Sequence, residues 1–275
     1  MTHLWIRQIA GVLRLELKRT AFSKRGWWIY CLAIGPVIVA LLHWLIELNS
    51  RRSGRHSLGE DSVIFAGMFL VYFLRGSIFF GCMGIFTSLF RGEMLEKTLH
   101  YYFMTPLRRE LLAAGKYLAG LTVALMLFLP SVAATFLLLG RHFGAAWTDY
   151  LVHGPGLGQL GSYLLVTALG CIGYGAVFLV CGLIYKNPMI PAAVVWVWEA
   201  LNPFLPALLK KISVIFYLKS LCPVEVPAEP PFSLMVIETD PASAWVAIPG
   251  LLAVAALLLI YAGISARQAE ISYGE

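Results

Sequence analysis

Residues 91–116 gather acidic, basic and imidazole side chains between two long apolar stretches of the chain. Placed on a helix, one side of this segment carries Glu93, Glu96, Lys97 and His100. Such a mixed set of charges suits salt bridges and hydrogen bonds to another protein. We therefore predict that these four residues dock a partner protein.

The helix predicted here spans 91–106, because the residue before a proline is pushed out of helical geometry and Pro106 ends the pattern. A short helix lying flat beneath a membrane, with its charged face towards the cytoplasm, is well shaped for docking. An ordinary interfacial loop that follows the positive-inside rule explains the same pattern equally well.

Two more charged residues, Arg75 and Glu199, lie far inside apolar stretches. A charge within a membrane is costly and normally pairs with another charge or faces a watery cavity. Their predicted depths match, so we expect either an ion pair that stabilises the fold or a pair that lines a transport path.

Other chemistries lack their usual patterns. The histidines His43, His56, His142 and His153 are not spaced like metal ligands, so we predict no metal site. The chain contains no His-Glu-x-x-His and no Gly-x-Ser-x-Gly, so we predict no catalytic residues. It also lacks a Gly-x-x-x-x-Gly-Lys-Ser/Thr loop for ATP phosphates. We expect a protein that is not an enzyme and binds no cofactor itself.

The elements that position these residues must be membrane helices. Charged residues are 13% of the chain, against about 25% in soluble domains, and 59% of the residues are hydrophobic. The apolar stretches are close to the roughly 20 residues that cross a bilayer as a helix. The basic residues lie beside these stretches, where lipid head groups explain them better than nucleic acid does.

The sequence predicts an all-α integral membrane protein with a single transmembrane domain over 1–275, built as a bundle of six transmembrane helices. An amphipathic helix in 1–26 precedes the bundle. A predicted extracytoplasmic insertion, 210–241, precedes the last span and includes a short interfacial or re-entrant helix. The predicted spans are 27–48, 62–90, 111–139, 160–185, 189–209 and 242–266.

Lysine and arginine set the expected orientation. With the N-terminus inside, the inner segments hold 13 of these residues and the outer segments hold 7. We therefore expect a multi-pass protein of the cell (inner) membrane with both termini in the cytoplasm.

The segment 91–116 also resembles the signature of permease subunits of type-2 ATP-binding-cassette (ABC) exporters. The matching residues, in order, are Arg91, Glu93, Glu96, Thr98-Leu99, Thr105-Pro106 and Gly115-Lys116. The number of spans, the amphipathic N-terminal helix and the insertion before the last span agree with the layout of that family. One difference is Glu96-Lys97, where many members have an acid closely followed by glycine.

The resemblance implies that 91–106 is a coupling helix that contacts a separate ABC ATPase subunit, which would bind ATP and Mg²⁺. It also implies a second permease copy, in a homodimer or a heterodimer, and export as the function. Two other functions remain open from the residues: a non-transport membrane component of an ATPase-driven signalling or assembly complex, and a membrane enzyme acting on lipid.

Overall fold

The computed structural model describes residues 2–21, 26–49, 57–96, 108–224, 226 and 240–268. Within these ranges every regular element is helical. The prediction of an all-α membrane protein is confirmed at that level, because five of these helices are long and apolar enough to cross a bilayer.

The amphipathic pattern at the N-terminus forms helix α1, Thr2–Ala21. The five long helices are α2 (Trp27–Asn49), α3 (Leu58–Leu95), α4 (Arg109–Leu139), α6 (Gly156–Ile184) and α10 (Ala244–Gln268). Shorter helices lie between them: α5 (Ala145–Val152), α7 (Met189–Leu201), α8 (Ala207–Lys210) and α9 (Val214–Ser220).

Helix α3 changes its winding within the membrane. It is α-helical over Leu58–Met68, π-helical over Phe69–Ile78 and α-helical again over Phe79–Leu95. The π-helical part contains Arg75. Because π-helical winding widens a helix and is often found at functional sites, it marks the surroundings of Arg75 as unusual.

The prediction of a fifth span over 189–209 is wrong in its extent. Helix α7 has 13 residues, about 20 Å at 1.5 Å per residue, which is less than the roughly 30 Å of a bilayer core. The chain then passes through a 3₁₀ turn at Asn202–Phe204. Pro203 and Pro206 explain the break, because proline lacks a backbone donor and clashes with a continuing helix.

The long helices alternate in direction, which gives the bundle two distinct ends. At one end, here called the α1 end, Lys116 of α4 contacts Glu16 of α1, and Arg267 of α10 pairs with Glu110 of α4. The opposite end holds the start of α3 and the 3₁₀ turn Gly140–Phe143, where His142 contacts Asp61.

Between helices α6 and α10 the chain passes from the α1 end to the opposite end. Gly182, near the end of α6, lies so close to the backbone of Thr87 in α3 that an added Cβ would be 2.8 Å from it. Helix α6 therefore ends near the α1 end, whereas α10 begins at the opposite end. The crossing between them includes the short helices α7 and α9.

The helices differ in how much of their surface the chain itself covers. In the most apolar 18-residue stretch of α6, 72% of the residues are buried, against 22% for α2 and 28% for α10. Helix α6 is therefore central, while α2 and α10 present apolar faces outward. The core is rich in aromatic rings, such as Phe65 and Phe136, whose centroids lie 5.0 Å apart.

Candidate functional site

Helices α1, α3 and α4 meet in a cluster of ion pairs at the α1 end. The Lys116 ammonium of α4 lies 2.5 Å from Glu16 Oε1 of α1 and 2.8 Å from Glu93 Oε1 of α3. It also donates to the backbone oxygen of Leu89 at 2.8 Å. These contacts fill the three donor positions of an ammonium group.

This part of the cluster is almost completely shielded from solvent. The side chain of Lys116 is 0% exposed, and those of Glu16 and Glu93 are each 2% exposed. A buried charge is tolerated only when it is paired and hydrogen-bonded, so each of these residues depends on the others.

Arg19 extends the cluster to the surface. Its guanidinium donates to Glu93 Oε1 at 2.7 Å and contacts Glu96 Oε2 as well. Burial alone would lower the pKa of Arg19, but the carboxylates of Glu93, Glu96 and Glu16 outweigh it, so the pKa is raised. The side chains of Arg19 and Glu96 are 40% and 42% exposed. The cluster thus has a dry end at Lys116 and an open end at Glu96.

A cavity of about 120 Å³ adjoins this cluster. Glu16, Arg19 and Glu93 line one part of it, and apolar side chains including Trp28 and Ile85 line another. The charged residues of the cluster therefore border an open space between α1, α2, α3 and α4.

Gly115 explains how α1 comes close enough to form the cluster. A Cβ added at Gly115 would lie 2.9 Å from Val12 Cβ of α1, closer than normal carbon contacts. On the same surface, the guanidinium of Arg108 lies 5.0 Å from the centre of the Trp5 ring, a cation–π distance. Helix α1 is therefore packed directly against the first turns of α4.

The four predicted docking residues are placed differently. Glu93 is buried in the cluster, and Glu96 is partly exposed at its open end. Lys97 and His100 lie outside the described residues, as does most of the predicted coupling helix 91–106; residues 91–95 continue α3. Docking stays a prediction, and a direct contact between Glu93 and a partner would require its pairs with Lys116 and Arg19 to open.

Glu199 has a clear structural role near the middle of the bundle. Its carboxylate accepts hydrogen bonds from the Ser213 hydroxyl at 2.6 Å, from Val214 N at 3.0 Å and from Ile215 N at 2.9 Å. It therefore caps the N-terminus of α9, where free backbone donors and the helix dipole favour a negative charge. The carboxylate joins the end of α7 to the start of α9.

Arg75 lies near enough to Glu199 to act on it electrostatically. Both residues belong to the described part of the chain, where no salt bridge of 4.0 Å or less joins them. Glu199 bonds to the start of α9 instead of directly to Arg75. Whether the two residues line a transport path stays a prediction.

The predicted insertion 210–241 is described up to Val224, at Val226, and at Asp240 and Pro241. Its first part forms the short helix α9, which packs against α6 and α10. A Cβ added at Gly173 of α6 would lie 3.1 Å from Val214, and one at Gly250 of α10 would lie 3.6 Å from Tyr217. A short helix is thus present where one was expected, and it packs within the bundle. Its re-entrant or interfacial position stays a prediction.

A second group of polar residues lies at the opposite end of the bundle and was missed by sequence reasoning. His43 of α2, Asp61 of α3 and His142 of the 3₁₀ turn place one potential ligand atom each within 4.8 Å of one another. No spacing pattern reveals this group, because each residue belongs to a different element.

Comparisons with known proteins add no assignment. No protein-family model matches the chain, and no curated protein matches its sequence.

Proposed function

We propose that this chain is the permease subunit of an ABC exporter, which forms a substrate path as a dimer and is driven by a separate ATPase subunit. The observation that carries the proposal is the buried ion-pair cluster that fixes the end of α3 to α1 and α4. Residues 97–107 follow Glu96 of this cluster directly in the sequence and precede α4, which supplies Lys116.

A force applied to residues 97–107 would reach three helices at once. Glu93 is one helical turn before the segment and is held by Lys116 and Arg19. Because buried ion pairs cost several kcal/mol to open, the ends of α1, α3 and α4 resist separation and would move together. This is the property that a coupling helix needs in order to tilt membrane helices when an ATPase closes.

The motif behind the resemblance gains a physical explanation from the same contacts. Glu93 and Lys116 belong to the two ends of the motif and form an ion pair. Gly115 permits the close approach of α1, which supplies Glu16 as the third member. The spacing of Glu93, Gly115 and Lys116 is thus what the packing of three helices requires, which supports the resemblance.

The broken crossing formed by α7 and α9 favours transport over a purely mechanical role. Transporters often place their path beside helices that are interrupted within the membrane, because the free helix ends offer polar groups there. Here Glu199 and Arg75 lie at such a break. With this crossing, the chain would traverse the membrane six times and keep both termini in the cytoplasm.

In the proposed mechanism, ATP-driven closure of two ATPase subunits pushes on residues 91–106 of each permease. The cluster passes this movement to α1, α3 and α4, and a path opens at the seam between two permease copies. The outward apolar faces of α2 and α10 are available for the second copy or for lipid.

Co-purification from the natural membrane tests the proposal. We expect the wild-type chain to retain a protein with a Gly-x-x-x-x-Gly-Lys-Ser/Thr loop, and the double variant Glu96→Lys/His100→Glu to lose it. Glu96 is preferable to Glu93 for this test, because pairs at the surface contribute only about 0–1 kcal/mol and the fold should survive. Lys186→Glu, at an exposed turn of the same end, should keep the partner.

Retention of the ATPase by the double variant would contradict the docking assignment. Failure of the wild-type chain to retain any ATPase would contradict the proposed function. Transport and mechanical signalling are then separated by vesicles that contain both subunits, because only a transporter moves a substrate across the bilayer when ATP is hydrolysed.

A further inference from the structure

We propose a binding site for a divalent transition metal ion, with Zn²⁺ as the expected ion, formed by His43, Asp61 and His142. The site lies at the end of the bundle opposite α1 and is distinct from the ion-pair cluster and from Glu199. One ring nitrogen from each histidine and one carboxylate oxygen lie within 4.8 Å of one another.

The hydrogen bond of His142 indicates which ring nitrogen would bind the ion. Its Nδ1 lies 2.9 Å from the backbone oxygen of Leu139. A carbonyl oxygen only accepts hydrogen bonds, so Nδ1 carries a hydrogen and donates it. Metal-binding histidines commonly donate their other ring N–H to a carbonyl in this way, which fixes the orientation of the ring.

The other nitrogen of His142 faces the carboxylate. Nε2 of His142 lies 3.6 Å from Oδ2 of Asp61. In a neutral ring with hydrogen on Nδ1, the lone pair of Nε2 points towards an oxygen that also bears lone pairs. These two atoms attract each other only when a proton or a metal ion lies between them.

His43 favours the metal ion over the proton. A proton shared by His142 and Asp61 needs no third residue, whereas zinc sites in proteins have three or four protein ligands. The ring of His43 stands edge-on to that of His142, with 5.5 Å between the ring centroids. A lone pair from His43 completes a set of two imidazoles and one carboxylate around the same point.

This ligand set and its spacing suit Zn²⁺. Zinc binds histidine nitrogen at about 2.0–2.1 Å and carboxylate oxygen at about 2.0–2.2 Å, so ligand atoms in a tetrahedral site lie about 3.4 Å apart. The distance of 3.6 Å between His142 and Asp61 is already close to that value. The partly exposed side chain of His43 supplies the movement needed to close the site, and a water molecule fills the fourth position.

A bound ion would join three different elements of the bundle. His43 belongs to α2, Asp61 to the first turns of α3, and His142 to the turn that follows α4. The ion would therefore fix the connection between α2 and α3 against the connection between α4 and α5.

Zinc titration of the purified full-length chain tests the proposal. The protein is freed of any histidine tag, stripped with EDTA in detergent, and titrated with ZnCl₂ by calorimetry. We expect the wild type to bind one Zn²⁺ per chain. Asp61→Asn and His43→Ala should each lower the affinity for Zn²⁺ by about 10–100-fold or more. A loss of that size is typical even when the residue replaced is a hydrogen-bond partner of a metal ligand and not a ligand itself. His142→Ala should behave in the same way.

His153→Ala is the matched control, because His153 is an exposed histidine that also contacts an aspartate, Asp149, at 2.9 Å. Its affinity for Zn²⁺ should equal that of the wild type. Asp61→Asn preserves size and shape, so it remains decisive if a histidine variant fails to fold. Absence of Zn²⁺ binding in the wild type, or equal binding by Asp61→Asn and His43→Ala, would overturn the proposal.

Discussion

Replacing Lys116 by methionine should destabilise the protein more than any surface substitution. Methionine keeps much of the length of the side chain but removes the ammonium that bonds Glu16, Glu93 and the Leu89 oxygen at 2.5–2.8 Å. Two carboxylates that are each 2% exposed then face each other, and Arg19, which is 40% exposed, is the cation that remains beside Glu93 in the described cluster.

The expected loss is about 3–5 kcal/mol, the cost of removing one member of a buried ion pair. Lys186→Met, at an exposed turn, should change the stability by no more than about 0.5 kcal/mol, as is usual for surface positions. Unfolding by sodium dodecyl sulfate in mixed micelles, followed by the loss of helical circular dichroism, measures both free energies.

A second variant separates lost charge pairing from lost packing. The triple variant Glu16→Gln/Glu93→Gln/Lys116→Met contains no unpaired buried charge, so it should regain a substantial part of the stability lost by Lys116→Met alone. The reasoning is refuted if Lys116→Met costs less than about 1 kcal/mol, the value of an exposed pair, or if the triple variant is no more stable than the single one.

Three further predictions concern the other contacts. Glu199→Ala should speed hydrogen exchange of the backbone amides in 214–220. The variant loses three hydrogen bonds to a carboxylate, each worth about 1.5–3 kcal/mol. Unchanged exchange would rule out the capping of α9 by Glu199. Gly115→Ala should loosen α1 and speed its cleavage by a protease, because the new Cβ would lie 2.9 Å from Val12. Gly11→Ala, where the added Cβ meets open space, should leave the cleavage rate unchanged. Equal cleavage rates in the two variants would contradict the close packing. Cys222 is partly buried and its thiol donates to the Leu218 oxygen at 3.5 Å, so its alkylation at pH 8 should be slower in the folded chain than after denaturation. Equal rates would refute this.

The long helices could be predicted because the bilayer imposes a local rule on the sequence. A stretch of apolar residues long enough to cross lipid is visible without knowledge of its neighbours. The predicted spans 27–48 and 111–139 agree with α2 and α4 to within two residues. The same rule failed at 189–209, where the sequence stays apolar across Pro203 and Pro206. These prolines cannot continue a helix, so the backbone leaves helical geometry after α7.

The charge cluster could be predicted only in part. The sequence predicts a role for Glu93, but the pattern on a single helix places it on an exposed face. Its burial depends on contacts with α1 and α4. Two signals were available. Glu16 is the one acidic residue in 1–26, and Lys116 lies several residues inside an apolar span, where a charge normally requires a partner.

The group formed by His43, Asp61 and His142 could not be found from spacing. Eighteen residues separate the first two, and His142 follows a different span, so only the folding of the bundle brings them together. All three lie near ends of helices at the same side of the predicted membrane, which is the one hint that the sequence offered.

We propose that residues 91–106 receive force from an ATPase at the α1 end of the bundle. Photo-crosslinking from position 100 in the natural membrane tests it most directly, with a photoreactive amino acid in place of His100. We expect a crosslink from position 100 to a protein that carries an ATP-binding Gly-x-x-x-x-Gly-Lys-Ser/Thr loop, and no crosslink to that protein from position 153 at the opposite end. A crosslink to that protein from position 153 alone, or no crosslink to any ATPase from position 100, would contradict it.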